Sequence, residues 1–215
     1  MLDNFLPHTC LCCGNFFRSA LRLCPACADR IVFYHGAHSS KDMSVWGDIY
    51  LDEYEVMAHY DPVLGTLIRH LKYTGIQPLA NLLGEWLWWW CKLPWEVDLI
   101  CHVPLHPQRF SQRGFNQSLL LARVLSEKSN WTRLPLLERR IYTLNQAAAD
   151  HQTRQKQLHG VFATRAQFQE VVKGKTVLIV DDVMTTGSTF NQCARALKEA
   201  GARHVVAVAL AHKDS

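Results

Sequence analysis

The sequence predicts an α/β fold built around a parallel sheet, and the pattern between residues 177 and 211 carries that prediction. Residues 177–180, VLIV, are apolar without polar alternation, which is typical of a strand buried on both faces. A helix is expected next, because apolar residues follow at helical spacing: Phe190, Cys193, Ala194 and Leu197. Gly201 stands where this helix is expected to end, and residues 204–211, HVVAVALA, predict a second buried strand. Strand, helix and strand in this order form a βαβ unit with parallel strands.

The middle of the chain predicts further elements of the same kind. A strand is expected within residues 50–60, and Asp61 with Pro62 supplies a cap and a first-turn proline for a helix that ends near Gly75. Residues 98–104 predict a central strand, and a leucine-rich helix is expected after residue 117. The tryptophan-rich segment 79–93 predicts an amphipathic helix with this apolar stripe: Leu79, Leu82, Leu83, Trp86, Leu87 and Trp90.

Length and composition limit the classes of protein to which the chain can belong. Its 215 residues suit one good-sized domain with a small appendage, and 48% hydrophobic with 20% charged residues is ordinary for a globular protein. The net charge of +4 is compatible with an anionic ligand without establishing one. We expect no secretion signal, because the first eight residues lack a basic start and a long apolar core. Membrane insertion is not expected, because the most apolar segment is short and contains Glu85.

Five of the eight cysteines lie within the first 27 residues, where they form two CxxC pairs. Cys10 pairs with Cys13 and Cys24 pairs with Cys27, with ten residues between the pairs. Four thiolates can surround a zinc ion tetrahedrally, and a small module of this kind owes its fold to the metal. The fifth thiol, Cys12, is surplus to such a site.

We therefore predict a zinc-binding module over residues 1–45 and an α/β domain over residues 46–215. Disulfides are an alternative for the four cysteines, although a chain with no export signal argues against them. A redox-active CxxC pair is a further alternative.

Polar residues stand at the end of the first strand of the βαβ unit, where open α/β sheets bind ligands. Asp181 and Asp182 follow the apolar run, and a hydroxyl-rich turn comes next: Thr185, Thr186, Gly187, Ser188 and Thr189. Free N–H groups at a helix N-terminus attract phosphate, and Gly187 allows the backbone to approach a ligand closely. Carboxylates repel a bare phosphate, so the two acids are expected to bind sugar hydroxyls or a divalent metal carried by the ligand. The combination indicates a phosphorylated ribose.

The stretch 177–189, VLIVDDVMTTGST, resembles the phosphoribosyl-pyrophosphate (PRPP) loop of type I phosphoribosyltransferases. The resemblance implies that Asp181 and Asp182 bind the ribose 2′- and 3′-hydroxyls, that residues 185–189 bind the 5′-phosphate, and that Mg²⁺ accompanies PRPP. One alternative is a buried strand followed by an ordinary helix N-cap. Another is a phosphoacceptor receiver domain, although its acids would stand near the first strand, whereas here one helix and one strand follow.

A second polar segment, residues 105–117, follows the predicted central strand. It contains two arginines four residues apart, two interleaved phenylalanines and two amides: Arg109, Phe110, Arg113, Phe115, Asn116 and Gln117. Arginine suits pyrophosphate and nucleic-acid phosphate, and aromatic rings can stack on bases. The alternative is a solvated basic loop whose phenylalanines anchor it to the core, and spacing alone does not separate the two.

Five segments follow one another along the chain: the two CxxC pairs, LKYTG at 71–75, HPQRFSQRGFNQ at 106–117, RRIYTLNQ at 139–146 and the PRPP loop. Taken together and in this order, they resemble the ComF family, which includes ComFC- and GntX-like proteins. The resemblance implies a type I phosphoribosyltransferase-like domain joined to a four-cysteine zinc module. One departure is Gln157, which stands where many members carry asparagine, and its role stays open. The surrounding basic stretch, residues 139–159, is either a flap near the ligand edge or a solvated loop.

The same resemblance implies a function in DNA uptake during natural transformation, in the bacterial cytoplasm. It implies PRPP and incoming single-stranded DNA as ligands, with helicase or recombination proteins as partners. The candidate contacts to pyrophosphate or nucleic acid are Lys72, Arg109, Arg113, Asn116 and Gln117. Two alternatives remain, a transferase that moves ribose 5-phosphate from PRPP to a base and a PRPP-sensing regulator. The sequence leaves the catalytic residues, the acceptor base and the oligomeric state open.

Overall fold

The computed structural model describes residues 8–18, 22–34, 38–39, 48–91, 96–140 and 160–213. The strands are β1 (His8–Thr9), β2 (Phe16–Phe17), β3 (His38–Ser39), β4 (Glu53–His59), β5 (Leu99–His102), β6 (Thr132–Arg133), β7 (Leu137–Arg139), β8 (Phe162–Thr164), β9 (Thr176–Met184) and β10 (His204–His212). The helices are α1 (Pro25–Ala28), α2 (Pro62–Thr74), α3 (Gln77–Trp90), α4 (Pro107–Arg113), α5 (Gln117–Ser129), α6 (Gln169–Val172) and α7 (Ser188–Glu199), with a 3-10 turn at Ala166–Phe168.

A six-stranded sheet in the order β3-β4-β10-β9-β5-β6 forms the centre of the described structure. The five strands from β4 to β6 run parallel, and the short edge strand β3 runs antiparallel to β4. Two short antiparallel pairs, β1 with β2 and β7 with β8, lie outside this sheet. The predicted α/β architecture, a parallel sheet flanked by helices, is confirmed.

The sheet is covered on both faces, which explains the unbroken apolar runs in its central strands. Along β9, Leu178 and Val180 pack in a core with α2, α3 and α5. Val177 and Ile179 face the opposite core, which contains α7 and the β7–β8 pair. Since successive strand residues point to opposite faces, both sets must be apolar when helices cover both sides.

Helix α2 begins and ends where the sequence predicts. The Asp61 carboxylate accepts hydrogen bonds from the N–H groups of Val63 at 2.7 Å and Leu64 at 2.9 Å. At the other end Gly75 adopts a left-handed conformation with φ of 59°, and its N–H donates to the Leu71 carbonyl. A glycine there stops the helix without steric cost, so Lys72 lies in the last turn.

Two elements differ from the sequence-based expectation. The segment 105–117, expected as a loop, contains α4, because His106 caps the helix, Pro107 occupies its first turn and Gly114 ends it with φ of 77°. The predicted stripe of the tryptophan-rich helix is only partly buried. Trp90 is 40% exposed, and its ring stacks on Phe33 with centroids 4.0 Å apart.

The cysteine-rich segment packs against the α/β domain. Its buried residues belong to the same hydrophobic cluster as the inner faces of α2 and α3: Cys10, Leu23, Cys24, Cys27 and Ile31. The predicted division near residue 45 lies outside the described residues, so that boundary stays a prediction. Residues 141–159 of the basic stretch also lie outside them.

Among the described residues, no helix has both the length and the apolar character needed to cross a membrane. Of the helices described, α3 is the longest, and its 14 residues fall short of the roughly 20 that a bilayer requires. Its buried side instead packs against α5 and the sheet, with Leu83 and Leu87 completely buried.

Close contact between α3 and α5 depends on Gly84. A Cβ atom added to Gly84 would lie 2.6 Å from Cβ of Val124, a buried residue of α5. We expect Gly84→Ala to lower the free energy of unfolding by about 1–2 kcal/mol, because overpacking outweighs the gain in helix propensity. Urea unfolding followed by tryptophan fluorescence measures the change.

The double variant Gly84→Ala/Val124→Gly is the matched test of that mechanism. Val124→Gly removes the Cβ atom at 2.6 Å together with both methyl groups, so the double variant should be more stable than the sum of the single losses predicts. Additive losses would show that Gly84 acts through something other than this contact.

Candidate functional site

The two acids of the PRPP-like stretch lie within the last part of β9, which extends to Met184 and pairs with β10 through Asp181 and Val183. The Asp182 side chain is buried, and its Oδ2 atom lies 2.9 Å from Nζ of Lys72. Two residues separated by 110 positions therefore form an ion pair at the carboxyl end of the sheet. A buried carboxylate requires such a counter-ion, because an uncompensated charge in the interior is strongly unfavourable.

Asp181 is stabilised differently. Its Oδ1 atom accepts hydrogen bonds from Oγ of Ser118 at 2.6 Å and from the N–H of Asp182 at 2.8 Å. Burial and the neighbouring Asp182 carboxylate raise the pKa of Asp181 to about 7, although the Ser118 hydroxyl, the Asp182 N–H and Lys72 act in the opposite direction. Burial therefore favours the protonated form of Asp181 more than solvent would.

Ser118 is a site residue that the sequence analysis missed. It is buried in the first turn of α5, where Asn116 caps the helix by accepting from the N–H groups of Ser118 and Leu119. The side-chain amide of Asn116 also donates to the Val103 carbonyl at 3.0 Å. Asn116 thus bonds within the protein and orients Ser118 towards Asp181.

The hydroxyl-rich turn connects β9 to the N-terminus of α7. Gly187 stands just before the helix with φ of 79°, a left-handed conformation that favours glycine. The Thr186 hydroxyl accepts from the Ser188 N–H at 3.4 Å, and the Thr185 carbonyl accepts from the His212 ring at 2.9 Å. The start of a twelve-residue helix therefore points its positive end at the edge that carries the acids.

The arginine segment meets the end of α2. The Arg113 guanidinium donates to the side-chain oxygen of Gln117 and lies 5.9 Å from the centroid of the Tyr73 ring. Phe115 packs on Gly75 so closely that an added Cβ would lie 2.7 Å from the Phe115 ring. Within the described part of the chain, no hydrogen bond or ion pair engages the Arg109 side chain, which is partly exposed.

Three chain segments thus converge at one edge of the sheet: the end of α2, the start of α5, and the connection from β9 to α7. The convergence brings Lys72, Ser118, Asp181 and Asp182 into direct contact. Carboxylates can accept hydrogen bonds from ligand hydroxyls, while lysine, arginine and a helix N-terminus attract phosphate. The edge therefore suits a ligand that carries both hydroxyl and phosphate groups.

The four cysteines of the two CxxC pairs form a second cluster. All four Sγ atoms of Cys10, Cys13, Cys24 and Cys27 lie within 4.8 Å of one another. The Sγ atoms of Cys13 and Cys24 are 3.7 Å apart, close to the roughly 3.8 Å that tetrahedral zinc–sulfur bonds of about 2.3 Å imply. The cluster has the ligand number and spacing to hold a metal ion.

Backbone groups around Cys10 favour its thiolate form, as a metal ligand requires. Burial acts to raise the pKa of Cys10, but N–H groups, that of Cys24 first, outweigh this effect and lower the pKa to about 6. Two of these N–H groups, those of Cys12 and Cys24, lie 3.4 and 3.5 Å from the sulfur. The Cys12 thiol points elsewhere and donates to the Val63 carbonyl at 3.6 Å.

Comparison with known proteins identifies the family. A family model described as phosphoribosyl transferase domain matches residues 136–215. The chain is 26% identical to Competence protein F of Haemophilus influenzae, over 94% of this chain and 96% of that protein. It is 30% identical to the DNA utilization protein YhgH of Escherichia coli, over 91% of this chain and 86% of that protein.

Two further matches cover less. Identity to Competence protein ComFC of Streptococcus pneumoniae is 30%, over 68% of this chain and 62% of that protein. The solved glutamine PRPP amidotransferase from B. subtilis matches 60% of this chain and 25% of its own, with 25% identity and a TM-score of 0.41. The fold assignment therefore rests on the parallel sheet and on the family model.

The raised pKa of Asp181 predicts how stability depends on pH. An unfolded aspartate titrates near 3.9, so the native protein binds more protons than the unfolded chain between pH 4 and 7, and stability falls as the pH rises through this interval. Asp181→Asn keeps an Oδ1 acceptor for Ser118 but cannot ionise. We expect the variant to gain stability relative to the parent between pH 5 and pH 8, in urea unfolding at both values.

Asp98→Asn is the matched control. A hydrogen bond from the Thr176 N–H, together with Lys175, lowers the pKa of Asp98, so this acid is ionised in both the folded and unfolded states above pH 5. Its replacement should change stability by the same amount at pH 5 and pH 8. An Asp181→Asn variant that behaved in this way would contradict the raised pKa.

Proposed function

The chain belongs to the ComF family, and from that premise we propose that it binds PRPP with Mg²⁺ and contacts incoming single-stranded DNA during DNA uptake in the cytoplasm. The observation that carries the proposal is the meeting of Lys72, Ser118, Asp181 and Asp182 at the sheet edge beside the N-terminus of α7. This arrangement joins hydroxyl-binding acids to a phosphate-binding helix end. The names of the relatives support the link to DNA.

In the proposed complex, Asp181 and Asp182 accept hydrogen bonds from the ribose hydroxyls. The 5′-phosphate binds the turn formed by Thr185, Thr186, Gly187, Ser188 and Thr189, where N–H groups and hydroxyls can donate. Mg²⁺, when bound with PRPP, neutralises part of the pyrophosphate charge. Lys72 must leave Asp182 as the ribose arrives, and the pyrophosphate offers it a new counter-ion.

The proposed DNA contact uses the arginines of segment 105–117, which lie beside this site. Arg109 has a guanidinium that is not engaged by other described residues, and Arg113 lies next to the exposed ring of Tyr73. Gln117 fixes Arg113 through its hydrogen bond. Both arginines are thus available to phosphates that approach the carboxyl edge of the sheet.

We test this function by fluorescence anisotropy of a labelled single-stranded oligonucleotide, with and without Mg²⁺ and PRPP. The parent should bind, PRPP should shift its affinity, and Asp182→Asn should abolish that shift. Arg109→Ala/Arg113→Ala should weaken binding and reduce the slope of log K against log salt by about 1–2, because up to two phosphate contacts are lost.

Arg123→Ala/Lys128→Ala is the matched control, since it removes the same charge from the exposed side of α5, where both residues pair with glutamates. Its salt slope should equal that of the parent. A parent protein that binds no oligonucleotide in either condition would refute the DNA contact. Release of pyrophosphate on adding free nucleobases would identify a transferase instead.

We further propose that the cysteine cluster holds a structural zinc ion. Protein purified without chelator should contain about one zinc per chain by elemental analysis, the content that one four-thiolate site requires. Cys24→Ser should lose the metal and much of the stability, because the cluster packs into the main core. Cys12→Ser should retain it, because this side chain contacts Val63 instead. Metal-free parent protein would refute the proposal.

A further inference from the structure

We infer that Tyr73 is a stacking platform for an unpaired nucleobase of bound single-stranded DNA, an inference that rests on the DNA contact proposed above. Tyr73 is 78% exposed, whereas Leu71, two residues earlier on the same helix, is completely buried. Exposure alone does not mark a binding site, because single exposed rings are common on protein surfaces. Tyr73 is distinguished by the Arg113 guanidinium over its ring and by Lys72 of the acid site, one residue earlier in the chain.

The position of Tyr73 is fixed by the backbone beneath it. The residue lies in the last turn of α2, directly after Lys72, whose ammonium group is held 2.9 Å from Asp182. Two residues later the helix ends at Gly75, against which Phe115 is tightly packed. The ring is thus presented next to the acid edge by a helix end that is anchored on both sides.

Arg113 adds the charge that a nucleotide requires. Its guanidinium lies 5.9 Å from the centre of the Tyr73 ring and is oriented by Gln117. Because the guanidinium lies over one face of the ring, a base would stack on the opposite face while Arg113 binds a phosphate of the same strand. Arg109 lies one helical turn earlier on α4 and supplies a second positive charge for the phosphates of the DNA strand.

The contact between Phe115 and Gly75 also bears on which aromatic ring near the site can stack on a base. Phe115 is partly buried and its ring packs on Gly75, so it offers a base less free surface than Tyr73 does. Tyr73 and Phe110 remain exposed, and Tyr73 is the one beside an oriented guanidinium. Proteins that bind single strands without sequence preference combine such aromatic platforms with a basic groove.

Two labelled oligonucleotides of equal length test the inference, one with natural bases and one with abasic positions. Tyr73→Ala should weaken binding of the natural strand about tenfold, in the range found for loss of one stacked base, while the salt slope stays unchanged because no charge is lost. Tyr73→Phe keeps the ring and should bind as the parent does. On the abasic strand, the parent and Tyr73→Ala should bind equally.

Trp89→Ala controls for loss of an exposed ring elsewhere, since Trp89 is 72% exposed on α3 and should not affect binding. If the parent binds the natural strand but Tyr73→Ala matches it, the stacking inference alone fails. An equal loss on the abasic strand would also overturn it, because the ring would then act on the backbone. If the parent binds neither strand, the proposed DNA function itself fails.

A free nucleobase would stack on the Tyr73 ring in the same way as a base of DNA. Calorimetry with adenine in the presence of Mg²⁺ and PRPP distinguishes the two sources. Adenine binding that Tyr73→Ala abolishes, with oligonucleotide binding unchanged, would overturn the assignment to DNA and give the platform to a free acceptor base.

Discussion

The ion pair between Lys72 and Asp182 is the interaction on which the candidate site depends. It joins the last turn of α2 to the end of β9, two elements that are far apart in the chain. Because Asp182 is buried, the carboxylate is stable there only with a compensating charge, and this need holds the end of α2 against the sheet. Tyr73 lies in that same turn, and Gly75, on which the Phe115 ring packs, ends it.

The two adjacent acids, Asp181 and Asp182, have different partners in the fold. The Lys72 ammonium group pairs with Asp182, whereas Asp181 accepts hydrogen bonds from a serine hydroxyl and a backbone N–H and has a raised pKa. Two equally ionised carboxylates at this depth would repel each other and destabilise the sheet edge. The place where a metal-bound phosphosugar is proposed to bind thus combines an ammonium group at Asp182 with a carboxyl of raised pKa at Asp181.

Local signals in the sequence predicted local structure well. The cap at Asp61, the glycine that ends α2 and the apolar pattern around β9 each depend on near neighbours, so they can be found by inspection. Helix α4 could have been found from His106-Pro107 and Gly114 but was obscured by its polar composition. Ser118 and the internal packing of Phe115 depend on contacts between distant segments, which no local pattern encodes.

Helix α2 connects the cysteine-rich segment to the edge of the sheet that carries Asp181 and Asp182. Its first turn accepts a hydrogen bond from the Cys12 thiol at the carbonyl of Val63, and its last turn carries Lys72, about 14 Å further along the helix axis. One continuous helix thus runs from the contact with the cysteine-rich segment to the ion pair at the acid edge. A substitution at Cys12 and one at Lys72 would therefore act on the same rigid element from its opposite ends.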